Sequence, residues 1–254
     1  MVYQLVATKP SMEQFNKYHK QGLQCSFDPF AGDGSIPGGA QTYFKREGYM
    51  IIKNLYDPKK LYHTVPEERG QIHYWGKRVD EFNHIPEEDQ VNGSLVRYMH
   101  PQYCKIHSKV RRILEDILGE ELYNTYYHDR FCFAGQRLQR HCDRYDGDAC
   151  EISVSIQCST NTKNPWPFCI QTPSGEKRSC ELEDGWGILY NGTVPGETDH
   201  WREPLESCYT RKRDKLKNWI TRKEDDTYYH QISFHYVRVN GSKAHCANNM
   251  VHSI

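Results

Sequence analysis

From residue 121 onward the chain breaks into short runs of strand-forming residues that no helical pattern interrupts. The segments 122–135, 137–142, 150–158, 166–172, 186–191, 198–203 and 228–239 are punctuated by glycine, proline, asparagine and aspartate. Short strands at such spacing, without interleaved helices, predict a β-sandwich or barrel. One of them is readable by face. In Glu151–Cys158 the residues Ile152, Val154, Ile156 and Cys158 fall on one side, and Ser153, Ser155 and Gln157 on the other, because strand side chains alternate with period two. In a double-sheet jelly roll the apolar face would pack under helices and the serine face would line an interior pocket. From this strand alone, a solvent-facing serine side stands equally open.

Ahead of residue 121 the organisation differs. A chain of 254 residues with 37% hydrophobic content suits one sizeable core, so 1–254 is read as a single domain. Residues 1–40 form an N-terminal extension with a short helical candidate, Ser11–His19, and a glycine-rich stretch at 32–39. That stretch lacks the Gly-Lys-Ser/Thr ending and the preceding strand of a phosphate loop, and reads as a plain loop. Residues 41–120 form a mainly helical lead-in that packs on the sheet. It opens with a strand candidate, Glu47–Lys53, and closes on the clearest helix, Tyr103–Glu121. There Ile106, Val110, Ile113, Ile117 and Leu118 recur at helical spacing before Gly119. Residues 121–240 are the β core and 241–254 a tail.

Composition excludes several classes. Lys plus Arg and Asp plus Glu each number 33, for a net charge of zero, so no electrostatic footprint for nucleic acid exists. The basic run from Arg211 to Lys217 is offset by Glu224, Asp225 and Asp226 and reads as a solvated insertion. No apolar run reaches the length of a membrane span, and the first residues lack a basic leader and an apolar core. Ten cysteines are scattered without a Cys-x-x-Cys pair. Reduced thiols in a cytoplasmic protein are therefore expected rather than a disulfide framework. The Asn-x-Ser/Thr triplets at Asn92, Asn191 and Asn240 each carry a central glycine and read as turns.

The residues with the most chemistry are His141-Cys142-Asp143 and, far along the chain, His200. A His-x-Asp pair on extended backbone places both side chains on one face. A histidine arriving from another strand completes two imidazoles and a carboxylate. Such a facial set holds iron(II) and leaves the remaining positions open. The stretch between Asp143 and His200 is long enough for four or five short strands to return the chain to the same spot.

The text around these residues carries a resemblance. Gln139-Arg140-His141-Cys142-Asp143-Arg144, the strand at 151–158, Trp166-Pro167-Phe168, Gly185-Trp186-Gly187-Ile188-Leu189-Tyr190 and His200-Trp201-Arg202-Glu203-Pro204 resemble the iron(II)/2-oxoglutarate-dependent oxygenases. The similarity lies with their prolyl-4-hydroxylase-like branch, and within it with small marine bacterial and phage oxygenases of uncertain substrate. It spans Tyr123–Val239. It implies a mainly β fold with flanking helices, the cupin-like double-stranded β-helix or jelly roll. It also implies iron held by His141, Asp143 and His200, with 2-oxoglutarate and O2 as cosubstrates and succinate and CO2 as products. Members that halogenate lack the carboxylate ligand, so Asp143 implies hydroxylation or a related oxidation.

One position departs from the pattern. The family binds the far carboxylate of 2-oxoglutarate with a basic residue on the last strand, where this chain has Gln231, or Tyr229 after a slip of two. Arg202, two residues beyond His200, points into the same pocket by period-two alternation, and a guanidinium grips a carboxylate with two parallel bonds. Arg202 is the expected anchor, with Gln231 and Ser233 donating hydrogen bonds. A surface ion pair of Arg202 with Glu203 or Glu206 is the bland alternative, and Arg140 and Arg211 are the reserves. A non-catalytic cupin-like binding module and a zinc hydrolase remain as other readings of the three ligands. The substrate, a small molecule or a peptide, is not legible; the insertion carrying Tyr209, Arg211, Lys212 and Trp219 is a substrate-facing candidate, with a simple solvated insertion the favoured reading.

Overall fold

Two antiparallel sheets pack face to face in the computed structural model, which describes residues 25–26, 39–55, 91, 94–98, 103–143, 150–192, 198–207 and 227–248. The helical candidate Ser11–His19, the glycine-rich stretch up to residue 38 and most of the insertion carrying Arg211 lie outside the described residues. The larger sheet holds β1 (Cys25–Ser26), β2 (Tyr49–Ile52), β3 (Leu95–Tyr98), β4 (Leu122–Phe133), β6 (Ile152–Thr160), β9 (Gly187–Tyr190) and β11 (Tyr228–Arg238). Their spatial order is β1-β2-β9-β6-β11-β4-β3. The smaller sheet, ordered β5-β10-β7-β8, holds β5 (Leu138–His141), β7 (Phe168–Gln171), β8 (Lys177–Cys180) and β10 (His200–Arg202). From β4 onward the chain crosses between sheets at every step except β7 to β8, the winding of a jelly roll.

Helices α1 (Gly39–Glu47) and α2 (Cys104–Leu118) cover the outer face of the larger sheet. Ile106, Val110, Leu114, Ile117 and Leu118 of α2 join Ile152, Val154, Ile156 and Cys158 of β6 and Ile232, Phe234 and Tyr236 of β11 in the main core. The helix stops where expected. Gly119 adopts φ 66° and donates its N–H to Glu115 O at 2.8 Å, a left-handed cap that glycine takes without a Cβ penalty. The expected strand at 47–53 begins only at Tyr49, since Glu47 ends α1 and Gly48 breaks the helix at φ +74°.

The serine face of β6 is decided: Ser153, Ser155 and Gln157 are all buried, turned toward the smaller sheet. Between the sheets, Tyr49, Ile51, Ile188 and Tyr190 pack on Phe168, Ile170, Cys180 and Leu182 at one side. Cys132, Leu138, Trp166, Leu205 and Tyr229 cluster at the other. The strands between these two apolar plugs present polar residues inward. No helix among the described residues is long and apolar enough to cross a membrane.

Candidate metal centre

His141 closes β5 and His200 opens β10, and the two residues are direct partners across the antiparallel pair. The register slips between this pair and the next, Arg202 with Leu138, so β5 carries an extra residue. Such a bulge re-aims side chains. Leu138 and His141, three residues apart, both turn inward while Gln139 and Arg140 stay exposed. Asp143 follows the strand and is tied by its N–H to Gly192 O at 2.8 Å.

The three side chains converge. Nε2 of His200 lies 3.4 Å, and Nε2 of His141 3.7 Å, from Oδ1 of Asp143. The two rings are 4.3 Å apart between centroids, and one ligating atom from each residue lies within 4.8 Å of the others. Backbone carbonyls aim the rings: Nδ1 of His141 donates to Gln139 O at 2.7 Å and Nδ1 of His200 to Thr198 O at 3.4 Å. A carbonyl only accepts, so each Nδ1 carries the hydrogen and each Nε2 keeps its lone pair for the centre.

Electrostatics favour ligation. Burial, helped by neighbouring His200, pushes His141 down to about 4, so its imidazole is neutral near pH 7. Burial alone would raise the Asp143 carboxyl, but His200, His235 and His141 outweigh it and hold the group well below the usual carboxylate range. Two imidazoles and one carboxylate are a donor set that fits iron(II), among other divalent ions.

Arg202 is fully buried, on the inward face that it shares with His200. Its guanidinium lies over the rings of Tyr229 at 4.5 Å, Trp166 at 4.8 Å and Phe168 at 5.3 Å. Nη1 donates to Trp166 O and Nη2 to the Tyr229 hydroxyl at 3.0 Å, while Nε has no partner among the described residues. No described carboxylate neutralises it, which removes the surface ion pair with Glu203 or Glu206 as its explanation. A buried guanidinium caged by rings, with a donor to spare, suits an anionic ligand. Gln231 and Ser233 lie on the inward face of β11, Ser233 hydrogen-bonded to Ser155 at 2.9 Å. The Gln231 oxygen is buried without a partner among the described residues, and an amide can exchange its two ends to present nitrogen instead. Arg140 is no reserve: it points outward, pairs with Asp199 at 3.0 Å and lies over Trp201.

Four residues of this region were given no role of their own at the site by the sequence reading. Arg130 of β4 is buried directly opposite Gln231 and brings a second guanidinium to the same wall. Tyr190 packs on His200 at 4.7 Å. Ser153 donates to Oδ2 of Asp143 at 2.7 Å, and His235 faces Ser153 across β6 and β11. Period-two phase would have found His235, since Gln231, Ser233 and His235 share one face.

No family model and no curated protein matches the sequence. Solved structures do. A prolyl-4-hydroxylase from Pseudomonas putida superposes with a TM-score of 0.52 at 12% identity, covering 78% of this chain and 97% of that one. An oxidoreductase of the 2OG-Fe(II) oxygenase family from Burkholderia pseudomallei gives 0.51 at 12%, covering 84% and 94%. A prolyl hydroxylase from Trichoplax adhaerens, in complex with a hypoxia inducible factor peptide fragment, gives 0.52 at 10%, covering 89% and 93%. At such identities the likeness is one of fold. The chain has the double-stranded β-helix of the iron(II)/2-oxoglutarate oxygenases, and the resemblance read in the sequence is borne out at that level.

Proposed function

We propose that this chain is an iron(II)- and 2-oxoglutarate-dependent oxygenase that hydroxylates a small-molecule or peptide substrate and releases succinate and CO2. The observation that carries the reading is the convergence of His141, Asp143 and His200 beside a buried guanidinium with no carboxylate partner among the described residues. His141, Asp143 and His200 would hold iron. Arg202, aided by Gln231 and Ser233, would hold the distal carboxylate of 2-oxoglutarate. Bound iron supplies the oxygen-activating chemistry that no side chain possesses. The chain contributes orientation and dryness. The Nδ1 contacts to backbone carbonyls present both Nε2 atoms to one point, and the apolar plugs on either side exclude water.

The seven cysteines whose side chains are described are free, which supports a reducing compartment, and we place the chain in the cytoplasm. The direct test is succinate formation by purified protein with iron(II), 2-oxoglutarate and oxygen, comparing wild type with His141→Ala. Succinate that requires all three and vanishes in the variant supports the oxygenase. Metal binding by wild type without 2-oxoglutarate binding would replace it with the cupin-like binding module.

A further inference from the structure

Beside the three ligands, the inward faces of β6 and β11 carry a second cluster. Ser153 Oγ lies 2.7 Å from Oδ2 of Asp143, 3.0 Å from Cys150 Sγ and 3.1 Å from Nδ1 of His235. Cys150 Sγ is 3.3 Å from the same Nδ1, and Ser153, Cys150 and His235 are all buried. By residue type and spacing, Asp143, Cys150 and His235 make a ligand set of their own. The Ser153 hydroxyl, however, sits within hydrogen-bond reach of all three, in the space an ion would need. The cluster is therefore a hydrogen-bond network.

Its polarity follows from counting hydrogens. An ionised carboxylate only accepts, so the one Ser153 hydrogen goes to Oδ2 of Asp143. Ser153 Oγ is then left to accept from Nδ1–H of His235. The Cys150 thiol turns its hydrogen to Ile152 O. Tyr126 lies against the His235 ring with centroids 4.2 Å apart and planes at 21°, which holds the imidazole in plane. The two oxygens of Asp143 thus have separate tasks. Oδ2 is engaged by Ser153, and Oδ1 faces the Nε2 atoms of His141 and His200.

We propose that Ser153, fixed by His235, is a positioning residue that restricts Asp143 to ligation through one oxygen. The inference rests on the metal reading of the site. Two imidazoles and a one-oxygen carboxylate leave three positions on an octahedral ion. A chelating 2-oxo acid takes two and leaves one for oxygen. A carboxylate ligating through both oxygens would leave two, too few for both cosubstrates.

The test uses the full chain loaded with manganese(II). Line broadening of its electron paramagnetic resonance in isotopically labelled water counts coordinated waters, and titration then gives the 2-oxoglutarate affinity. Wild type is expected to show three waters. Ser153→Ala should show two, keep manganese affinity within a few-fold, and bind 2-oxoglutarate roughly 10- to 100-fold more weakly, the range typical of such supporting contacts. His235→Phe keeps an aromatic ring on Tyr126 and should move both readouts the same way by less. It decides the matter if Ser153→Ala fails to fold by circular dichroism. Three waters and unchanged 2-oxoglutarate affinity in the folded variants overturn the proposal. A second ion per wild-type chain, with thiolate-to-metal charge transfer on cobalt(II) substitution, overturns it as well. Wild type that binds no manganese at all removes the metal reading beneath it.

Discussion

Glycine at position 192 is set by the carboxylate beside it. A Cβ there would lie 2.5 Å from Oδ2 of Asp143, and that oxygen is already engaged by Ser153. Gly192→Ala is expected to displace the ligand, cutting metal affinity about 10- to 100-fold with little change in melting temperature; titration of wild type and variant with iron(II) checks this. Arg202→Gln leaves a dianionic ligand without its cation and should weaken 2-oxoglutarate binding by about 2–5 kcal/mol, at unchanged metal affinity. Equal affinities in calorimetry would move the anchor to Arg130. At this scale the sequence was partly legible. His141, Asp143 and His200 announced themselves because two of them share a strand end and the third heads another. Ser153 with His235, and Arg130 with Gln231, are pairs made by register between strands, which no local pattern encodes.

Among the elements, α2 was readable because it buries one face at helical spacing, and β6 and β11 because apolar and polar residues alternate along them, although both faces of each are buried. α1 was missed, and so was β8, whose Lys-Arg-Ser-Cys text lies at the edge of the smaller sheet and has only Cys180 buried. The β5 bulge was also hidden: plain alternation would turn Leu138 and His141 to opposite faces, and the extra residue reconciles them. How strongly α2 is bound to the sheet is open to measurement. Leu114 is completely buried in the main core, and Leu114→Ala should cost about 2–5 kcal/mol by urea denaturation. A loss under 1 kcal/mol would mean that α2 contributes little to the core.

The molecule as a whole encloses histidines that it keeps neutral. Burial pushes His107 and His128 each down to about 3. His107, on α2, accepts no solvent: its Nε2 contacts His235 O at 3.0 Å and its ring stacks on Phe234. Their folded values lie below the unfolded value of about 6.5, so the unfolded chain takes up more protons in acid. Their contribution is full above pH ~6.5 and is lost as pH falls toward ~3, by up to about 1.4 kcal/mol per pH unit for each. Denaturation midpoints should fall steadily across that window, and in His107→Phe the slope should be shallower. A β-sandwich or barrel was legible from strand spacing and turn signals, and the jelly roll only through the family resemblance. The strand order was not, since sheet pairing depends on contacts between distant segments.

The central claim, that this chain binds iron and a 2-oxo acid at one centre, is most directly tested without oxygen. Adding 2-oxoglutarate to the iron(II) protein under anaerobic conditions should produce a visible metal-to-ligand charge-transfer band, absent in His141→Ala and in protein given succinate instead. Iron binding with no such band at saturating 2-oxoglutarate would contradict the account.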